Sequence, residues 1–320
     1  LDIHKQVIVK IKILEMKIIK NISAGALLLF SSMLFAQQET ILTTYRYHMN
    51  LVNPAYVGID NETALATTFR KQWTGIENAP ETQALSFGTP VGGNIGLGVS
   101  MVYDKTFVEK QTQLGIDLSY KMQVGELTDL YFGIKAGGNF YNVNAAGLET
   151  YSNQSDPALA NINQFNPNVG VGALLKSDKY FVSLSVPRIL NTERAKNKDG
   201  YTAVATDRPH VYLSSGYNFD LETTTLLILK PSFMMRYVNG APLSVDLNLM
   251  LQIEEFLEIG GSYRVNNAYA AMAGITISKH LTFGYAYETN TGKVMASAKN
   301  SNEFFLRFKF NNSKKSNSEY

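Results

Sequence analysis

The sequence predicts an all-β protein: an antiparallel up-and-down transmembrane β-barrel of about fourteen strands behind a cleaved signal peptide. Three observations carry this. From residue 63 onward the dominant hydropathy period is two, so each segment has one apolar and one polar face. Most segments approach the ~9–11 residues that a tilted strand needs to cross a bilayer. The long connections all fall on one rim, as in outer-membrane barrels.

The elements follow in order. Residues 1–15 lie upstream of Met16 and read as an over-extended gene start. Lys17 and Lys20 precede an apolar run from Ile22 to Phe35, closed by Ala36 before Gln37-Gln38. A charged start, a short apolar core and a small residue before the cut make 16–36 a signal peptide. That run is shorter than the roughly 20 residues of a membrane-spanning helix. Residues 37–62 form a pre-barrel segment, too apolar for a disordered linker and a candidate plug. The barrel is expected over 63–310, with a polar tail at 311–320.

The strands are expected near 63–71, 81–90, 94–104, 112–123, 128–142, 167–176, 180–187, 210–219, 225–238, 243–253, 256–265, 268–277, 281–288 and 303–310. Leu243, Val245, Leu247, Leu249 and Leu251 alternate with Ser244, Asp246, Asn248, Met250 and Gln252; Phe304, Leu306, Phe308 and Phe310 alternate with Glu303, Phe305, Arg307 and Lys309. Connections after even-numbered strands are short, whereas those near 143–166, 188–209 and 289–302 all follow odd-numbered strands. Tyr103, Tyr120, Tyr180, Phe219, Tyr237, Tyr263 and Tyr269 lie in the outward phase near strand ends, where aromatic girdles sit.

The inward phase then lines the lumen. Its basic residues include Arg70, Lys121, Lys135, Lys230, Arg236, Arg264, Arg307 and Lys309, and its acidic ones Asp117, Asp246, Glu258, Glu288 and Glu303. Mixed signs suit a cross-linked, occupied lumen better than a pore selecting one sign of ion. Lys230, Arg236, Asp246, Glu258 and Arg264 are candidates for that network, with Arg70 expected to pair with a lumen carboxylate such as Asp246 or Glu258. Gly96, Gly98, Gly115, Gly133, Gly137, Gly170, Gly172, Gly260 and Gly284 share this phase, marking either bends or places where another backbone approaches closely.

Several chemistries are excluded or unsupported. With no cysteine in 320 residues there is no disulfide, thiolate metal site or cysteine nucleophile. A net charge of +2 gives no reason for a nucleic-acid partner. The four histidines lack metal-ligand spacing, no GxSxG elbow occurs, and Gly96-Leu97-Gly98 lacks the rest of a dinucleotide loop. No catalytic, cofactor or metal site is therefore expected.

The most specific residues flank the first strand. Asn53-Pro54-Ala55-Tyr56-Val57-Gly58 is followed by Arg70-Lys71-Gln72-Trp73-Thr74-Gly75 and then by Ala79-Pro80-Glu81-Thr82. Together with Lys230-Pro231-Ser232, Asp246-Leu247-Asn248 and Ser262-Tyr263-Arg264, this chain of motifs closely resembles the PorP/SprF family of type IX secretion outer-membrane proteins, over essentially all of 37–310. The resemblance implies an outer-membrane protein, in contact with lipid, that works in protein export and is not an enzyme. It implies partners among secreted or surface-anchored proteins, such as an adhesin, and among other secretion components. The physical reading beside it is structural: Pro54 and Gly58 redirect the chain, and an aromatic–proline contact of Trp73 with Pro80 would order the first long connection. Loops 143–166 and 188–209, the latter with Arg188, Arg194, Lys196, Lys198 and Arg208, are the better partner candidates. The alternative is a FadL-like transporter or porin for small solutes; a barrel hydrolase is a third.

Overall fold

The computed structural model describes residues 42–144, 162–193, 206–222, 226–291 and 300–310. The expected over-extended start 1–15, the expected signal peptide 16–36, residues 37–41, most of the three long loops and the tail 311–320 lie outside them.

The strands are β1 (Thr63–Gln72), β2 (Glu81–Gly92), β3 (Ile95–Thr106), β4 (Glu109–Gly125), β5 (Thr128–Val143), β6 (Ile162–Ser177) and β7 (Tyr180–Val186). A small ribbon of β8 (Thr192–Glu193) and β9 (Thr206–Asp207) follows, then β10 (His210–Tyr217), β11 (Phe219–Glu222), β12 (Leu227–Val238), β13 (Ser244–Ile253), β14 (Leu257–Arg264), β15 (Ala268–Ser278), β16 (Leu281–Asn290) and β17 (Asn300–Phe310). β11 continues the line of β10 past Asn218 and also pairs with β12, so the wall has fourteen staves. Each pairs antiparallel with the next, and β17 returns to β1 from Thr63↔Phe310 to Gln72↔Ser301, closing the barrel.

Alternation inverts the usual core. On β4, Leu114, Ile116 and Leu118 are exposed, while Gly115, Asp117 and Ser119 between them are buried. Apolar side chains thus face outward on a sheet that closes on itself, as a bilayer requires. At the short-turn rim, Gly93 and Asn94 both take left-handed φ (58° and 67°), the two-residue turn whose twist matches paired strands.

β6 begins at Ile162, five residues before its expected start at 167, because Asn163, Gln164, Asn166 and Pro167 carry no apolar alternation to mark a strand. Phe165 supplies the one outward anchor, with its ring 4.6 Å from that of Phe140 on β5. β4, β5 and β6 pair along their full lengths, so this part of the wall rises highest on the long-loop rim.

Candidate functional site: the lumen and the segment within it

The chain from Leu42 to Glu62 makes short helical turns at Tyr45–Tyr47, Met49–Val52, Pro54–Tyr56 and Ile59–Asn61. It bonds to strands on every side of the barrel, which only a segment inside the lumen can do. Glu303 on β17 accepts the Thr43 and Thr44 N–H groups at 2.9 and 2.8 Å. Lys135 on β5 donates to the Asn50 carbonyl (2.9 Å), and Ser185 on β7 to that of Val52 (2.9 Å). Ser119 on β4 donates to the Val57 carbonyl (2.5 Å). Asn248 on β13 donates to the Tyr45 hydroxyl (2.7 Å).

Asn53, Pro54 and Ala55 act locally and across the lumen at once. The Asn53 side chain accepts the Ala55 N–H (2.9 Å), capping the turn that Pro54 opens. Its amide nitrogen donates to the Ala173 carbonyl (3.0 Å) and the Ser183 hydroxyl (2.9 Å), so the residue is wholly buried. The strand glycines beneath this turn are where the segment comes nearest the wall. A Cβ on Gly172 would lie 2.6 Å from the Asn53 carboxamide carbon, one on Gly133 2.7 Å from Ala55 Cα, and one on Gly96 2.8 Å from the Val57 carbonyl carbon. Gly58 takes φ 68° and leads the chain toward β1. Gly137 and Gly260 instead crowd neighbouring strands, and Gly284 lies under the Phe305 ring.

Charged side chains complete the packing. Arg70 donates to Glu288 (2.7 Å), Glu303 (3.0 Å) and the Thr43 hydroxyl (2.9 Å). Its partners are lumen carboxylates, as expected, but Glu288 and Glu303 in place of Asp246 or Glu258. The difference arises because Glu303 lies directly across the closing seam from Arg70. Arg264 takes Asp246 (2.7 Å) and reaches Glu288 (3.3 Å). Glu258 holds Lys230 (3.0 Å), Arg46 (3.2 Å) and the Tyr47 hydroxyl. Asp117 pairs with Lys135 (3.1 Å), and Glu62 with Lys309 (2.8 Å) and Arg307. Arg236 is buried on β12, opposite Tyr212. Such pairs set geometry more than stability, since desolvation offsets much of their attraction.

His48, one of the four histidines that lack metal-ligand spacing, sits between the Ser86 hydroxyl (2.9 Å from Nδ1) and the Thr68 hydroxyl (2.6 Å from Nε2). Burial, with the nearby Arg307 charge adding to it, pushes the imidazole down to about 3. The hydroxyls that receive the segment were also unassigned from sequence; their signal is a Ser or Thr at the inward phase of β1, β2, β4 and β7.

The rest of the motif lies on the long-loop rim. Gln72 N–H donates to the Pro80 carbonyl (2.9 Å), closing the connection in which Trp73 (φ 49°) and Gly75 (φ 98°) turn left-handed. It is this backbone bond that ties the loop's two ends together. Ala79 and Pro80 are buried, and Thr82 donates to Asp104 (2.5 Å). Two cavities border the segment: one of about 230 Å³ among Arg46, Tyr47, Asp60, Glu62 and Arg307, and one of about 140 Å³ among Tyr45, Met49, Tyr56 and Lys230.

The family model for the type IX secretion system membrane protein PorP/SprF matches residues 34–308. No curated protein sequence matches the chain. Among solved structures, the CymD monoaromatic hydrocarbon channel is similar with a TM-score of 0.50 and 11% identity, over 82% of this chain and 91% of that one. A Pseudomonas aeruginosa FadL homologue gives 0.49 at 12%, over 81% and 92%. The Acinetobacter baumannii outer membrane protein Omp33 gives 0.48 at 9%, over 79% and 100%. At such identities the likeness is one of fold alone.

Proposed function

The chain belongs to the PorP/SprF family of type IX secretion system membrane proteins and lies in the outer membrane, and from that premise we propose that it works as a closed scaffold. In this reading it assists the export or surface anchoring of a partner protein such as an adhesin, or links the outer membrane to the periplasmic secretion machinery, and catalyses nothing. One observation carries the reading: the lumen is occupied by residues 42–62, bonded to strands around the barrel. A solute path would have to break these bonds, whereas a partner can use the rims without touching them. The motif at Asn53, Pro54, Ala55, Gly58 and Arg70 then serves the closed state, and that at Gln72, Trp73, Gly75, Ala79, Pro80 and Thr82 shapes a rim loop.

The test is a pull-down from detergent-solubilised outer membranes with this protein as bait, together with single-channel recording of the purified barrel. Co-purification of a secreted protein or periplasmic secretion components, with a silent bilayer trace, is the expected result. A steady conductance and recovery of the folded barrel alone would overturn it in favour of a FadL-like transporter or porin.

A further inference from the structure

β6 pairs with β5 over its whole length, from Val143↔Ile162 to Thr128↔Ser177. On its other side it pairs with β7 only from Val171↔Val186 to Lys176↔Phe181. The chain leaving β7 extends this cover slightly. Ile189 N–H donates to the Val169 carbonyl (2.9 Å), and the Asn168 side chain accepts the Ile189 and Leu190 N–H groups at 3.0 Å each. Between Ile162 and Pro167, no described residue pairs with the outer edge of β6.

The Val169 carbonyl faces that edge, and backbone groups alternate sides along a strand. Asn163 and Phe165 therefore present both N–H and C=O outward, and Pro167 presents C=O alone, while Gln164 and Asn166 face β5. Proline within a strand belongs at such an edge, where its missing N–H breaks no ladder. An open edge of this kind is a template for another strand.

The surroundings say which strand. This edge stands on the long-loop rim, where Asn142 and Asn163 flank the outward Phe140–Phe165 pair. Directly beside it, the inner face of β5 and β6 carries Tyr141 and Gln164 in one row and Asn139 opposite Asn166 in the next, with no charge among these four; Glu109, one strand further on β4, stands in the row of Val143 and Ile162. Asn139 is 3% exposed, yet neither atom of its amide has a hydrogen-bond partner among the described residues, a cost that native structures rarely leave unanswered.

We propose that the outer edge of β6 between Ile162 and Pro167 is a strand-addition site for an extended, uncharged segment of the exported partner. The proposal rests on the export reading above. Only a polypeptide offers N–H and C=O groups at strand spacing. The neutral amide face selects against charged residues, and alternation sets an apolar residue of the partner beside Phe165 and polar ones beside Asn166.

The test separates backbone from side chain. Proteins displayed at the surface or released are quantified by mass spectrometry in cells carrying the wild-type chain, no chain, Asn163→Pro with Phe165→Pro, or Asn163→Ala with Phe165→Ala. The proline pair removes the edge N–H groups together with both side chains and the alanine pair removes the side chains alone, so with the barrel folded in both, one displayed protein should fall about tenfold or more in the first and stay within about twofold in the second. Wild-type display from the proline pair, or an equal fall from both pairs, would overturn the proposal. If cells without the chain display the same proteins as wild type, the export reading itself fails and the proposal with it. Hydrogen exchange on the purified wild-type barrel decides independently should the proline pair not fold. Asn163 and Phe165 amides should exchange about 100-fold faster than those of Gln164 and Asn166. Equal protection would mean that this chain's own loops already occupy the edge, refuting it.

Discussion

Replacing Gly133 by alanine tests the docked segment without touching a charge. The added Cβ would sit 2.7 Å from Ala55 Cα, with Ala55 N and Pro54 C nearer still, against ordinary contacts of 3.4–4 Å. The obstacle is backbone, and Gly133 is itself pinned in pairs with Ser119 and Gly172. The segment must lift, and in lifting it stretches the Asn53 bonds to Ala173 and Ser183 and the Ser119 bond to Val57. Three hydrogen bonds at about 1 kcal/mol each, plus about 1–3 kcal/mol for overpacking, give roughly 4–6 kcal/mol against docking. The strand itself should gain, since alanine suits a strand interior better than glycine. The assay is limited proteolysis of residues 42–62 beside the heat-modified gel shift of the barrel. The expected result is a segment cleaved far faster than in wild type from a barrel that still folds, and a Gly125→Ala control, with nothing nearer than 3.5 Å, that changes neither. Wild-type cleavage of Gly133→Ala would refute the claim that the strand glycines exist for this close approach.

Three further outcomes follow from the same packing. Arg70→Met should destabilise the docked barrel by about 3–5 kcal/mol, because Glu288 and Glu303 are left buried without their shared cation; adding Glu303→Gln should recover part of the loss in the same gel-shift midpoint. Asn53→Asp should weaken docking by about 2–3 kcal/mol, since a carboxylate would face the Ala173 carbonyl where an amide donor stood, and proteolysis of the segment reports it. Because His48 is held near 3 when docked and returns to about 6.5 when released, docking is undiminished above pH ~6.5 and weakens as pH falls below it. Proteolysis should show a loss of about 2 kcal/mol by pH ~5. His48→Gln should flatten that dependence, and an unchanged slope would assign the effect to another group.

What was legible in the sequence follows from which interactions are local. The alternation of β13 and β17 depends on one face meeting lipid, a condition applying residue by residue, so both strands could be read directly. The first half of β6 could not, because its outward phase carries Asn163 and Pro167 around the single apolar Phe165. Arg70 was legible as inward from its phase alone. Its partners were not, since Glu288 and Glu303 lie more than two hundred positions away and become neighbours only when the sheet closes. Likewise Asn53-Pro54 read as a turn, but the hydroxyls that hold the segment arrive one or two per strand, at inward-phase positions that other polar residues share.

That dispersion bears on how the closed state forms. Gly58 to Glu62 tie the segment to β1, and its bonds to β2, β4 and β5 span 38, 62 and 85 positions. Its firmest anchor is different: Thr43 and Thr44 donate to Glu303, the residue paired with Arg70 across the β1–β17 seam. The last strand to be made thus closes the barrel and clamps the segment with one carboxylate. Docking and closure therefore share Glu303, and the two halves of the motif, Asn53-Pro54-Ala55 inside and Arg70 at the seam, serve the closed state from different places. A variant that loosens the segment at Gly133 should leave the seam pair intact, whereas one at Arg70 should loosen both. The ratio of cleavage rate to gel-shift midpoint in the two variants therefore separates a plug that merely rests in the lumen from one that helps hold the barrel shut.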